Sequence, residues 1–242
     1  MPRGLPDYGQ NAEQYAIAGM GDLGEAVARL NSINVYDRRG FTVWQDDFEA
    51  PALKWTATAT GSGIVPYLST DQAFSGVQSV YFDAAFGGAP ICHLSRRFPL
   101  IRRGKIGLEY WVQGNMDSPS YFELVFTVYD GAIPNSLSLR YDTSTPSLRV
   151  LTTVGWQTLL PAPYMWAEDN YFLPIKVVFD MDTDRWVRVL WGEQEFDLSQ
   201  YFVLALPANA DRYVDAHFRL VGSGAVSQWA RLDNFILTQN EP

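Results

Sequence analysis

Alternating hydrophobic and polar residues dominate the chain from residue 41 onward and predict β-strands. Short segments rich in Val, Ile, Tyr, Phe and Trp are separated by Gly, Pro, Asn, Asp and Ser. These segments are residues 105–113, 121–130, 137–141, 148–152, 171–180, 185–191, 213–221 and 229–238. Many strands at close spacing with almost no helix predict an all-β fold, a two-sheet antiparallel β-sandwich or jelly roll.

Residues 1–40 have a different pattern and predict an extended N-terminal arm, so the expected domains are 1–40 and 41–242. Leu23, Val27 and Leu30 recur at helical spacing and predict one short helix near 22–30. A helix this short needs a surface to pack against, either its own domain or another subunit. Because the arm has too few apolar residues to bury itself, we expect these three side chains to contact a neighbouring subunit.

Strand alternation divides the side chains of the sandwich between a core face and an outer face. The outer face combines aromatic rings with charged groups and is the candidate ligand or partner surface. Its residues are Trp111, Tyr121, Tyr129, Trp186, Tyr213, Glu109, Glu123, His217 and Arg219. Such a face suits a protein interface or a glycan, since sugars stack on rings and bond to polar neighbours. A third interpretation is that the arm or long loops cover it.

Charge and length exclude several classes of function. The 242 residues carry a formal net charge of -9, so a phosphate backbone is repelled and nucleic acid is not an expected partner. No apolar stretch is long enough to span a bilayer, and the first residues lack the apolar core of a signal peptide. We therefore expect the protein to be made in a cytosol, without a signal peptide, and to bind no membrane.

The scarcity of cysteine and histidine removes further chemistries. Cys92 is the single cysteine, so no intrachain disulfide forms, and His93 and His217 are too few for a His-rich zinc site. Strand alternation places Cys92 and His93 on opposite faces, which favours a small buried thiol over a Cys–His nucleophile pair. No metal or cofactor is expected.

Catalytic motifs are equally sparse. Asp180–Asp184 resembles the start of a calcium loop but lacks its glycine and its distal glutamate, so a hairpin turn is expected. Glu193 and Glu195 could pair an acid with a base. The sequence contains no nucleophile elbow and no glycine-rich phosphate loop. These observations predict a protein that is not an enzyme.

Three stretches together resemble concanavalin A-like and laminin G-like sandwiches. They are Asp46–Glu49 followed by Lys54 and Trp55, the segment from Phe179 to Val189, and Arg231–Leu237 with its Asp-Asn pair. The resemblance spans roughly residues 41–238 and implies a jelly-roll fold. Each of the three motifs has a structural role in such sandwiches. It carries over no sugar-binding residues.

The run Asp37–Gly40 leading into Trp44 resembles virion proteins of tailed phages. With the arm and the aromatic face, this favours a non-enzymatic structural protein of a multi-subunit assembly, a virion decoration or minor capsid or tail surface protein that forms a homo-oligomer. Its expected location is the virion surface, with an extracellular location as the alternative. The alternative function is a carbohydrate-binding module, and the third is a glycan hydrolase of concanavalin A-like fold.

Overall fold

The computed structural model describes residues 36–37, 39–99, 104–115, 120–143, 146–161 and 171–242. The chain divides into two units, Met1–Arg38 and Arg39–Pro242, and the fold reported below is that of the second. The helix predicted near 22–30, with Leu23, Val27 and Leu30, lies outside the described residues. Within the described ranges, no helix has the length and apolar character needed to cross a membrane.

In the described residues, two antiparallel sheets of eight strands each form a sandwich, which confirms the predicted all-β class. The strands are β1 Phe41–Asp46, β2 Thr56–Thr60, β3 Gly63–Ser69, β4 Ser79–Ala84, β5 Ile91–Pro99, β6 Lys105–Asn115, β7 Tyr121–Asp130, β8 Asn135–Asp142, β9 Ser147–Thr152, β10 Gly155–Pro161, β11 Leu173–Asp180, β12 Arg185–Trp191, β13 Gln194–Asp197, β14 Leu204–Ala205, β15 Arg212–Val221 and β16 Gln228–Gln239.

The chain crosses between the two sheets several times and also forms runs of neighbouring strands within one sheet, such as β7–β10. Sheet A runs β13-β12-β11-β6-β16-β4-β3, and β1 also pairs with β16. Sheet B runs β10-β9-β8-β7-β15-β5-β2, and β14 also pairs with β8. Strands β6 and β16 are central in sheet A, whereas β7 and β15 are central in sheet B, so these four strands carry much of the core.

The core lies between the sheets and is rich in aromatic rings. The inward residues expected on β6, β7 and β15 are buried there, as the alternation predicted. Trp55 packs against Phe218 and Phe235, with ring centroids 5.9 and 5.1 Å apart. Its indole Nε1 donates to Asp46 Oδ2 at 3.2 Å, which satisfies the one polar atom of this ring.

Two of the motifs that resemble concanavalin A-like proteins hold the segment between β3 and β4 in place. Asp233 Oδ2 accepts hydrogen bonds from the backbone amides of Phe74 and Ser75 at 2.8 and 3.2 Å. Glu49 Oε1 accepts from the amides of Val77 and Gln78, both at 2.9 Å. These carboxylates therefore anchor the segment between β3 and β4.

The segment from Asp180 to Asp184 is the turn between β11 and β12. Asp180 Oδ1 accepts a hydrogen bond from the Asp182 amide at 2.9 Å, and Asp184 has a positive φ of 54°. An Asp side chain that bonds to the backbone two residues later is typical of tight turns. The predicted hairpin turn is confirmed.

Candidate functional site

The predicted outer face is divided between the two sheets. Glu109 and Trp111 lie on β6 and Trp186 on β12, all in sheet A. The other predicted residues lie on β7 and β15, which are neighbours in sheet B. These are Tyr121, Glu123, Tyr129, Tyr213, His217 and Arg219. The prediction therefore combined residues from opposite sides of the sandwich, and the six residues of sheet B share one surface.

Trp186 lies in the core, so its assignment to the outer face is wrong. Val178 pairs with Arg188, but Phe179 pairs with Trp186, which leaves Val187 as an extra residue in β12. Such a β-bulge reverses the alternation of the residues before it. The Trp186 side chain is fully buried, and its indole donates to a backbone carbonyl of β9 at 3.2 Å.

Glu109 and Trp111 point outward from sheet A, but other parts of the protein cover them. Glu109 is 1% exposed, and its Oε2 lies 3.9 Å from Lys176 Nζ. Lys176 Nζ also lies 2.8 Å from Glu241 Oε1. Trp111 is 3% exposed and stacks on Phe74 with ring centroids 5.1 Å apart. Neither side chain is accessible to a ligand.

An open groove of about 430 Å³ lies on the outer face of sheet B. Neighbouring strands β2, β5, β15 and β7 form it. Its lining residues are Thr58, Ala59, Thr60, Ile91, His93, Val125, Thr127, His217 and Arg219. Hydroxyl, imidazole and guanidinium groups thus stand beside short apolar side chains, and two of the predicted site residues, His217 and Arg219, belong to this groove.

A chain of polar contacts connects three of these strands. His93 Nε2 lies 2.7 Å from His217 Nδ1, and the two rings stack with an interplanar angle of 6°. Thr58 Oγ1 lies 3.5 Å from His93 Nδ1. On the other side, His217 Nε2 lies 3.1 Å from Asp215 Oδ2, which also accepts a hydrogen bond from Arg97 Nε at 3.3 Å.

Burial and two neighbouring basic side chains favour the neutral form of His93. Burial lowers the pKa of His93 below 6.5, and the nearby His217 and Arg219 lower it further. A neutral imidazole has one donor and one acceptor nitrogen, so it can hold the contact with His217 while bonding to a second group. The groove therefore presents His93 as a neutral hydrogen-bonding group.

Cys92 takes no part in the groove. Its side chain is fully buried in the core, and its Sγ donates to the Asp83 carbonyl at 3.0 Å. Burial raises the pKa of the Cys92 thiol to about 11. The thiol and His93 lie on opposite faces of β5, as the alternation predicted, so they form no nucleophile pair.

Glu123 is the buried centre of an ion-pair network beside the groove. It is 2% exposed, and Arg219 Nη2 donates to its Oε2 at 2.6 Å. Arg140 Nη2 lies 3.6 Å from Glu123 Oε1, which also accepts a hydrogen bond from Ser138 Oγ. One carboxylate on β7 thus pairs with guanidinium groups from the strands on either side.

Aromatic rings hold Arg140 in place. Its guanidinium lies 3.8 Å from the centroid of the Tyr121 ring and 4.2 Å from that of Trp156. Cation–π contacts of this kind are worth roughly 0.5–2 kcal/mol. The predicted residue Tyr121 therefore positions an arginine, which fixes the direction of that charge on the outer face.

The remaining predicted rings form a second cluster on the same face. Tyr129 and Tyr213 are cross-strand partners with ring centroids 4.4 Å apart. The Arg97 guanidinium lies 4.4 Å from the Tyr213 ring centroid. Because Arg97 also bonds to Asp215, this cluster connects to the histidine pair.

Sequence reasoning missed several residues of this face. Thr58, His93, Arg140 and Trp156 were not among the predicted site residues. The alternating Thr-Ala repeat of β2 and the placement of His93 opposite Cys92 were the available signals for two of them. The other two residues, Arg140 and Trp156, belong to the face because of which strands are neighbours in the sheet. Alternation within one strand does not predict which strands are neighbours.

No family model and no curated protein matches the chain. Solved structures do match it. A GlcNAcα1-4Gal-releasing endo-β-galactosidase from Clostridium perfringens has a TM-score of 0.52 at 8% identity, covering 85% of this chain and 64% of that one. A protein of unknown function with a galectin-like fold from Bacillus subtilis has a TM-score of 0.51 at 13% identity, covering 84% and 97%.

The carbohydrate recognition domain of Emp47p is similar at a TM-score of 0.49 and 10% identity, covering 85% of this chain and 99% of that one. The two structures with TM-scores above 0.5 share the fold of this chain, which agrees with the predicted β-sandwich. Nothing among them indicates a virion decoration protein.

Proposed function

We propose that the protein binds a glycan in the groove on the outer face of sheet B and does not cleave it. The observation that carries this proposal is the groove itself. Its volume of about 430 Å³ falls within the range of small-ligand sites, which is roughly 300–1,000 Å³. It is open along the sheet surface, a shape that accepts part of a chain molecule.

The chemistry of the lining suits sugars. A sugar offers several hydroxyls, each a donor and an acceptor, together with apolar C–H faces. Thr58, Thr60 and Thr127 supply hydroxyls, and Arg219 supplies guanidinium N–H donors. Ile91 and Val125 supply apolar contact between these polar groups. A purely apolar ligand would displace water from these polar groups without replacing its hydrogen bonds, at a cost of about 1–3 kcal/mol each.

The fold supports the same proposal. Two proteins that share it at TM-scores above 0.5 are named for a galectin-like fold and for the release of a galactose-containing disaccharide. A jelly-roll sandwich is thus a scaffold that accommodates glycans. Function must still be argued from the site, because one fold serves many functions.

The burial of two carboxylates beside the groove, and their pairing with arginines, favour binding without cleavage. Glycosidases use a pair of carboxyl groups, one of which must transfer a proton to the leaving oxygen. Glu123 and Asp215 are 2% and 5% exposed, and each pairs with at least one arginine. Both carboxylates are thus bound by arginines and almost fully buried, so neither is exposed to a ligand.

A glycan array followed by titration tests the proposal. We expect wild-type protein to bind at least one glycan and His217→Ala to bind it at least tenfold more weakly. The matched control is Trp229→Ala, which removes a ring that stacks on Tyr81 in sheet A, 6.2 Å between centroids. No binding to any glycan, or loss only in Trp229→Ala, would overturn the proposed site.

Assembly into a multi-subunit structure is the second candidate, and edge strand β3 favours it. Ile64, Val65 and Tyr67 are 44%, 51% and 46% exposed on a strand that ends sheet A. Unprotected apolar edges tend to pair with other chains. If this edge forms a subunit contact, light scattering detects an oligomer that Val65→Asp dissociates. A wild-type monomer at high concentration would exclude this role.

A further inference from the structure

A row of charged residues crosses the outer face of sheet B in register. On β15, Arg219 is the cross-strand partner of His93 on one side and of Glu123 on the other. Glu123 is in turn the partner of Arg140, and Arg140 is the partner of Arg149. We call Arg219, Arg140 and Arg149 the arginine row. Directly paired residues on one sheet face have Cβ atoms about 5 Å apart, so the row forms a continuous strip that starts at the groove.

The strip carries more positive than negative charge. Glu123 is shared by Arg219 and Arg140, and Arg149 lies 3.6 Å from Asp142. Three guanidinium groups thus face two carboxylates. Elsewhere on this face Arg97 bonds to Asp215, and Asp211 also lies near Arg97. Among the described residues, the strip itself therefore carries one net positive charge, on a chain whose formal net charge is -9.

The arginine nearest the groove remains accessible. The Arg219 side chain is 39% exposed and lines the groove, whereas the Glu123 side chain beneath it is 2% exposed. Glu123 binds Arg219 through Nη2, while the Arg219 side chain also forms part of the groove lining. Because Arg140 is held between two rings, the neighbouring charge is also fixed in direction and loses little entropy when a ligand binds.

We infer that the groove prefers an acidic glycan, one that carries a carboxylate or a sulfate on the sugar placed against Arg219. This inference rests on the proposed glycan-binding function. A guanidinium fork matches the oxygens of carboxylate and sulfate geometrically, and hydrogen bonds to an ionised acceptor are about twice as strong as neutral ones. A neutral sugar would leave the excess positive charge without an anionic partner.

Matched neutral and acidic polymers test the inference. Polygalacturonate supplies carboxylates, carrageenan supplies sulfates, and unsubstituted galactan is the neutral counterpart. We expect affinity electrophoresis and calorimetry to give at least tenfold tighter binding to one acidic polymer than to galactan. The preference should shrink as NaCl rises from 50 to 300 mM, because salt screens exposed charges. Which acidic polymer binds distinguishes a carboxylate from a sulfate.

Variants connect the preference to the arginine row. Arg219→Met should weaken binding to the acidic polymer at least tenfold and weaken binding to galactan by a smaller factor, so that the ratio of the two affinities falls. Arg149→Met, whose side chain is 31% exposed, should give a smaller loss in the same direction. Arg185→Met is the control, since its guanidinium lies over the Phe202 ring, 3.9 Å away, outside the groove. Circular dichroism and melting confirm that each variant is folded.

The outcomes separate the two proposals. Equal binding to galactan and to the acidic polymers would overturn the acidic preference and leave glycan binding intact. A preference that persists in Arg219→Met and Arg149→Met would overturn the role of the arginine row. Absence of binding to every polymer would count against the proposed function, and the preference would fall with it.

Discussion

Glu123→Gln tests the electrostatic account of sheet B, because this substitution removes the charge shared by two arginines while keeping the shape of the side chain. Glu123 is 2% exposed, with Arg219 Nη2 at 2.6 Å and Arg140 Nη2 at 3.6 Å. Breaking a fully buried ion pair costs about 3–5 kcal/mol. The two arginine side chains are 39% and 19% exposed, so water solvates part of the released charge. We therefore expect a loss of about 2–3 kcal/mol.

Urea unfolding at pH 7, followed by circular dichroism, measures this loss, and calorimetry should show a melting temperature lower by about 5–10 °C. The matched control is Asp71→Asn. The Asp71 side chain is 74% exposed and lies 3.4 Å from Arg231, so its exposed pair should contribute less than about 1 kcal/mol. If Glu123→Gln costs no more than Asp71→Asn, the network does not stabilise the sheet and the reasoning is wrong.

Three further predictions concern the core and one loop. Burial raises the pKa of Asp233 in the folded protein from 3.8 to about 7. The folded state therefore binds a proton more tightly than the unfolded state, and this stabilises the fold fully below pH 3.8. The stabilisation is lost as pH rises through about 7. Urea titrations of wild type and Asp233→Asn measure this effect as the difference between their unfolding free energies. The difference, wild type minus variant, should fall by about 1.4 kcal/mol per pH unit between pH 4 and 7. A difference that stays constant with pH would contradict this. The Cys92 thiol, fully buried, should react with a chromogenic disulfide reagent only after unfolding, and rapid reaction of native protein would refute its placement. Gly224→Ala should cost at least about 2 kcal/mol in urea unfolding, because φ is +75° and a Cβ would lie 1.9 Å from the Gly87 carbonyl oxygen; Gly88→Ala, with no atom within 4 Å, is the control, and equal costs would refute the clash.

Strand alternation was sufficient to predict the fold class and most of the core. The core residues expected on β6, β7 and β15 are buried there because none of these strands contains an extra residue; the register shift between β6 and β16 lies in β16. Trp186 shows where the rule fails. The bulge at Val187 adds a residue to β12, and a single extra residue exchanges the two faces.

The site was predicted only in part, because it depends on which strands are neighbours. His217 and Arg219 were identified from β15 alone, but the groove also needs His93 from β5 and Thr58 from β2. Those strands are distant in sequence and meet only through the jelly-roll order. Similarly, alternation placed Glu109 outside the core correctly but gave no indication that other segments cover it.

The most direct test of glycan binding in the groove is a nuclear magnetic resonance titration of isotope-labelled protein with trigalacturonate and, separately, with neutral galactotriose. The account predicts that trigalacturonate shifts the amide signals of Thr58, His93, His217 and Arg219 on sheet B, and that galactotriose produces smaller shifts at the same positions. Shifts confined to sheet A, or no shifts with either sugar at millimolar concentration, would contradict it.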